Sequence, residues 1–82
     1  MLKLKIVSPE RIEYNGEVVS VLVPGTQGQF EILVDHAPII STLEKGVVEY
    51  ALPKGDKVQL PILGGFVEVQ QNVVSLCIEV NE

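Results

Sequence analysis

The chain opens on strict alternation, with Leu2, Leu4 and Ile6 apolar and Lys3 and Lys5 charged between them. A period of two sends successive side chains to opposite faces of an extended backbone, so this segment predicts a strand with one dry face. Arg11-Ile12-Glu13-Tyr14 alternates in the same way, and Asn15-Gly16 then precedes Glu17-Val18-Val19-Ser20-Val21-Leu22-Val23. Asn-Gly between two such runs predicts a two-residue hairpin turn, because both residues tolerate positive φ. In the run from Glu17 to Val23, Val19, Val21 and Val23 share one face while Val18 and Leu22 share the other. A strand of that kind needs cover on both sides, from its own fold or from a partner.

Pro24-Gly25-Thr26-Gln27-Gly28 is a turn cluster, and residues 29–34 resume as a strand with Phe30 and Ile32 on one face and Gln29 and Glu31 on the other. Ile39-Ile40-Ser41-Thr42-Leu43 fits either a short strand or a single helical turn, and Lys45-Gly46 ends it. Further strands are predicted over 47–52, 57–62, 66–70 and 73–80, with turns at Pro53-Lys54-Gly55-Asp56 and at Asn72. Pro61 has no amide to donate, which puts its strand at a sheet edge or a bulge. No stretch carries an apolar stripe at helical spacing. Short strands at about 8–12-residue intervals predict an all-β antiparallel sandwich or barrel.

Composition agrees with that reading. Val and Ile supply 21 of the 82 residues, and β-branched side chains suit a pleated, half-buried surface. A chain this short is read as one domain over 1–82, burying only ~60% of its unfolded surface. The net charge of −5 repels phosphate backbones and anionic lipid headgroups, so neither nucleic acid nor direct membrane insertion is expected. Cys77 is the single cysteine; it excludes an internal disulfide and is read as a small buried hydrophobe in a reducing compartment. The N-terminus lacks the features of a signal or transit peptide, and no run approaches the ~20 apolar residues of a membrane span. A cytoplasmic location is the expectation.

Candidate chemistry is sparse. His36 is the single histidine, flanked by Asp35 and followed by Ser41, but adjacent residues point in different directions and Asp35 is poorly set to orient the imidazole. One histidine with scattered carboxylates has no metal-ligand spacing. Gly25-x-x-Gly28 and Gly64-Gly65 lack the context of a nucleotide-binding loop and read as places where the backbone takes positive φ or approaches a neighbour closely. No catalytic, cofactor or metal residues are assigned, and the chain reads as a protein that works by docking.

Six ordered pieces carry a resemblance: Ile6-Val7-Ser8-Pro9-Glu10-Arg11, Tyr14-x-Gly16-Glu17-Val18, Val23-Pro24-Gly25-x-x-Gly28-x-Phe30, His36-Ala37-Pro38-Ile39-Ile40, Leu43-x-x-Gly46 and Gly64-Gly65-Phe66-Val67-Glu68-Val69. In order and spacing the chain resembles the epsilon subunit of bacterial F-type ATP synthases over nearly its whole length. The resemblance implies a sandwich of two roughly five-stranded antiparallel sheets at the foot of the rotating central stalk, on the cytoplasmic face of the membrane. It implies a non-catalytic subunit that joins the gamma subunit to the c-ring and couples rotation to ATP synthesis. By the same resemblance, Thr26, Gln27, Gly28, Gln29, Phe30 and Glu31 face the c-ring, while Ser8, His36 and Ser41 face gamma. A free-standing β-sandwich that binds a ligand or peptide is the alternative.

The chain also departs from the family pattern. Gln29 stands where an acidic residue is common, Glu31 where glycine is usual, and Val34-Asp35 in place of Pro-Gly or Pro-Asn. Residues two apart on a strand share a face, so Glu31 is expected to supply the negative charge that Gln29 lacks. Relatives commonly continue into a C-terminal helical pair, whereas this sequence ends at Glu82. Neither ATP binding nor helix-mediated inhibition is therefore expected of this polypeptide.

Overall fold

A computed structural model describes residues 1–80, and every regular element in them is a strand. In chain order these are β1 Leu2–Val7, β2 Ile12–Val18, β3 Ser20–Gly25, β4 Gly28–Ile32, β5 Ile39–Leu43, β6 Gly46–Ala51, β7 Lys57–Ile62, β8 Gly64–Gln70 and β9 Val73–Glu79. The all-β class predicted by the alternation is the class observed, and the segment left open between strand and helical turn is β5.

Hydrogen bonding runs in the order β2-β1-β9-β8-β5-β3-β6-β7, with β4 on β3. The path folds over on itself at a corner. There β3 meets β5 through a single residue pair, Gly25 opposite Leu43, while the start of β3 pairs with β6. Strands β5 and β6 follow one another across Glu44-Lys45, so the chain changes layer at that bend, as strands do at the corners of sandwiches. The result is a layer of five strands, β2-β1-β9-β8-β5, facing a layer of four, β4-β3-β6-β7. All pairs are antiparallel except β1 with β9, which run parallel.

Between the layers lies a dry core. Leu2, Leu4 and Ile6 from β1, Val67 and Val69 from β8, and Val74, Leu76 and Ile78 from β9 meet Val21, Val23, Ile32, Val48 and Ile62 from the other layer, and among the described residues no polar or charged residue is buried with them. Each fully buried aliphatic side chain is worth roughly 1.5–3 kcal/mol against exposure. Tyr14 and Tyr50 close the side where β2 overlies β6, with ring centroids 4.6 Å apart, and burial pushes the Tyr50 hydroxyl pKa upward, keeping it neutral.

Two local expectations are corrected. The first hairpin does not turn at Asn15-Gly16; both residues lie within β2, with Asn15 opposite Lys5 and Gly16 opposite Leu4. The turn is Ser8-Pro9-Glu10-Arg11, closed by the Ser8 amide on the Arg11 carbonyl at 2.9 Å, with proline at the second position that its fixed φ suits. A turn at 15–16 would forfeit the register that pairs β1 with β2 from Leu2–Val18 to Val7–Ile12. Gly16 instead makes room for a ring: a Cβ there would lie 2.9 Å from the Tyr14 hydroxyl oxygen, which donates to the Glu17 carbonyl.

The second correction concerns Glu17 to Val23. The strand breaks at Val19, whose amide bonds to the Ala51 carbonyl at 2.8 Å, and the break resets the alternation. Val18 therefore faces the core before it, Val21 and Val23 face the core after it, and Val19 is exposed. The run is apolar on both parities because it bends, not because a straight strand is covered twice.

At the other end of the core, β8 approaches β9 with no room for a side chain. A Cβ on Gly65 would run into the Cys77 carbonyl and lie 2.8 Å from Ile78 Cα, and its φ of 148° is itself unfavourable for other residues. Pro61 sits on β7, the strand at the end of the hydrogen-bonded path, as its missing amide requires.

Candidate functional site

The hairpin β3–β4 projects the segment singled out from the sequence. Its register runs from Val21–Ile32 to Gly25–Gly28, leaving Thr26-Gln27 as the tip, and Gly28 leaves the turn at φ 126°. Along β4, Gln29 and Glu31 are exposed on one face, while Phe30 and Ile32 turn inward. The spacing of Gln29 and Glu31 is thus one pleat on a common outward face, as alternation required.

Three contacts fasten the tip to the neighbouring layer. The Thr26 amide donates to the Thr42 carbonyl at 3.0 Å, the Glu44 amide donates to the Pro24 carbonyl at 2.9 Å, and the two hydroxyls of Thr26 and Thr42 are 2.8 Å apart. Behind the hairpin, the loop from β4 to β5 turns tightly at Leu33–His36, closed by the His36 amide on the Leu33 carbonyl at 3.1 Å. The His36 ring lies against Phe30, centroids 6.4 Å apart, and its Nδ1 is 2.7 Å from the Ala37 carbonyl oxygen.

The outer face of the five-stranded layer carries a second feature. Alternation and register align Ile12, Val7, Cys77 and Phe66 in one row across β2, β1, β9 and β8, followed by Thr42 on β5. Ile12 and Phe66 are 56% and 47% exposed. Along this row runs an open groove of about 430 Å³ bounded by Ser8, Pro9, Phe66 and Cys77. The next row, Lys5, Ser75 and Glu68, is polar apart from Ile40. Cys77 is therefore half-buried in an outward-facing groove, not a core residue.

At the end of this row the Ser8 hydroxyl donates to Glu13 Oε2 at 2.9 Å, and Arg11 Nε reaches the same oxygen at 3.2 Å. The Ser8 hydrogen bond first, and the Arg11 bond after it, hold the Glu13 carboxyl below the usual carboxylate range.

The nine residues assigned by resemblance fall in three places. Thr26 to Glu31 form the hairpin, with His36 packed on its Phe30; Ser8 is in the groove beside Phe66; and Ser41, opposite Val67 on β5, shares the inward parity of Ile39 and Leu43. His36 thus belongs spatially with the hairpin, and Ser41 does not join Ser8. Phe66 and Thr42 were not among the assigned residues. Parity alone could have found Phe66, since Val67 and Val69 claim the inner face of β8. Among the described residues no three His, Cys, Asp or Glu side chains gather as a metal site, and no helix is long and apolar enough to cross a membrane.

The family model described as the ATP synthase delta/epsilon chain β-sandwich domain matches residues 1–82. The chain belongs to that family. Among its relatives, the ATP synthase epsilon chain of Leptospira interrogans is 47% identical over 76 residues, covering 92% of this chain and 58% of the relative. That of Nitratiruptor is 42% identical over 78 residues, covering 95% and 60%, and that of Chlorobium limicola is 40% identical over 77 residues, covering 94% and 88%. The chain thus spans about three-fifths of the length of the first two relatives and most of the third. The epsilon-family fold recurs in a chain from the Euglena gracilis mitochondrial ATP synthase, in a structure with its OSCP, F1 and c-ring, at a TM-score of 0.89 and 24% identity, covering 94% of this chain and 49% of that one.

Proposed function

We propose that this chain is a non-catalytic rotor subunit of a proton-translocating F-type ATP synthase, holding the gamma subunit to the c-ring so that rotation of the ring drives ATP synthesis. It works on the cytoplasmic face of the bacterial plasma membrane, peripheral to the bilayer and attached through the complex. No cofactor takes part. Gamma covers the outer face of the five-stranded layer, reaching Ser8, while the ring loops meet the hairpin from Thr26 to Glu31. His36, its ring tilted against Phe30, lies where both partners come close, and Ser41 contributes through the backbone of β5.

One observation carries this reading within the family: the row Ile12, Val7, Cys77 and Phe66 lies open across one sheet face. An apolar strip with one end in a groove and no converging polar groups suits a protein partner better than a substrate. Immobilised chain is expected to retain the cognate gamma subunit, and Phe66→Glu, at an already exposed position, to weaken that retention about tenfold or more while leaving thermal stability intact. Retention of gamma by neither form would overturn the proposal.

A further inference from the structure

We infer that Thr42 is the positioning residue of the ring-facing hairpin, with no direct contact to the ring required of it. The inference rests on the function proposed above. Strand β4 pairs with β3 and with no other strand among the described residues, so the hairpin has little of its own to fix the direction of its tip. What fixes it comes from β5 and the bend that follows it, where the Glu44 amide donates to the Pro24 carbonyl. The Thr26 amide bonds to the Thr42 carbonyl, and the Thr26 hydroxyl bonds to the Thr42 hydroxyl at 2.8 Å. The second bond is the only side-chain tie described between the tip and the five-stranded layer. Thr42 stands opposite Phe66, so the same residue borders the apolar row and anchors the hairpin.

The geometry makes Thr42 a joint between the two docking surfaces. A tip held by both backbone and side chain is pre-organised for binding, and an interface that needs less ordering binds more tightly. The hydroxyl pair is exposed, so its loss should leave overall stability nearly unchanged and act mainly on the tip.

The test compares wild type, Thr42→Val, Thr42→Ser and Thr26→Val, each as the 82-residue chain. Thr42→Val keeps the β-branched shape of a strand residue and removes the hydroxyl. Amide exchange at Gln27 to Phe30 is expected to quicken about threefold to tenfold in Thr42→Val and in Thr26→Val, with exchange in β8 and β9 unchanged, and Thr42→Ser is expected to restore protection. Affinity for detergent-solubilised cognate c-ring should fall by a similar factor in both valine variants and recover in Thr42→Ser, while Thr26→Val, whose site lies off the gamma-facing row, retains gamma at the wild-type level. Unchanged exchange at the tip, or unchanged ring affinity in Thr42→Val beside a wild type that binds, overturns the inference. A wild type that fails to bind the ring overturns the proposed function and the ring-positioning role with it, and the exchange data then report only on the hairpin.

Discussion

Asp35 and Asn72, 37 positions apart in sequence, hold each other by two hydrogen bonds: the Asp35 amide donates to Asn72 Oδ1 at 2.6 Å, and Asn72 Nδ2 donates to Asp35 Oδ1 at 3.2 Å. Both residues are in the left-handed region, at φ 67° and 63°, where a non-glycine residue costs roughly 1–2 kcal/mol. Asp35 is the third residue of the turn Leu33–His36, the place where a type II turn asks for positive φ. Asn72 is in the two-residue turn of β8–β9, and its carbonyl also accepts the Lys3 amide at 2.9 Å. One asparagine thus ties three segments together, and its amide offsets the strain of aspartate in a glycine-like position.

Asn72→Ala should lose both the hydrogen bonds and the tolerance of positive φ, lowering unfolding free energy by about 2–3 kcal/mol. Asn72→Gly keeps the backbone conformation and should lose about half of that. Urea unfolding of the two variants separates the contributions. Equal losses would show that the left-handed φ adds nothing.

How far the sequence discloses this structure follows from the range over which each signal acts. Alternation in β1, β7 and β9 is local, and those strands lie where the pattern puts them, with Pro61 on an end strand; β8 begins two residues before the predicted 66–70 and takes in Gly64 and Gly65. Asn15-Gly16 misleads because a turn signal is conditional on what the neighbours pair with; the longer register with β1 and the Tyr14 ring above Gly16 decide against it. The break at Val19 is invisible to a parity count, since Val18 and Val21 can both face the core only if the strand bends. The Asp35–Asn72 pair and the Thr26–Thr42 pair join distant segments, and no local pattern announces either. Of the residues proposed for docking, the hairpin is legible as a Gly-bounded turn with outward Gln29 and Glu31, while the inward place of Ser41 is not, because residues 39–43 fit a short strand or a helical turn equally well until β8 pairs with them.

Gly64 and Gly65 are adjacent but not equivalent. A Cβ on Gly64 has the Leu43 carbonyl oxygen at 3.6 Å as its nearest neighbour, an ordinary contact, whereas one on Gly65 collides with the backbone of Cys77 and Ile78. Gly64→Ala should stay within about 1 kcal/mol of wild type, and Gly65→Ala should lose about 3 kcal/mol or more and expose the hydrophobic core. Thermal melts with a fluorescent probe of exposed apolar surface would check this. Two variants of equal stability would contradict the close approach of β8 to β9.

Glu13 links a surface hydrogen bond to pH. Its folded-state pKa lies below the ordinary carboxylate value because Ser8 and Arg11 donate to the ionised form. Its stabilisation is therefore present above the unfolded-state pKa and is lost as pH falls through the folded-state pKa. Ser8→Ala, which removes the larger cause, should move the Glu13 pKa upward in an NMR titration of its side-chain carboxyl and flatten the acid limb of the stability profile. A Glu13 pKa that stays put in Ser8→Ala would assign the shift to Arg11.

Glu31 and Gln29 share the outward face of β4, which makes the charge at 31 available to a partner that would otherwise meet it at 29. Glu31→Gln should weaken binding to the cognate c-ring and reduce its salt dependence, because a screened charge–charge attraction is removed. The double variant Gln29→Glu/Glu31→Gln should recover both. Unaltered affinity across a salt titration of Glu31→Gln would refute the charge displacement.

The central claim is that one small β-sandwich binds shaft and ring at the same time through different surfaces. Native mass spectrometry of the chain mixed with cognate gamma and detergent-solubilised c-ring measures this directly. A single assembly containing all three is expected, lost when Phe66→Glu is combined with Glu31→Gln. A chain that forms complexes with gamma or with the ring but never with both together would contradict it.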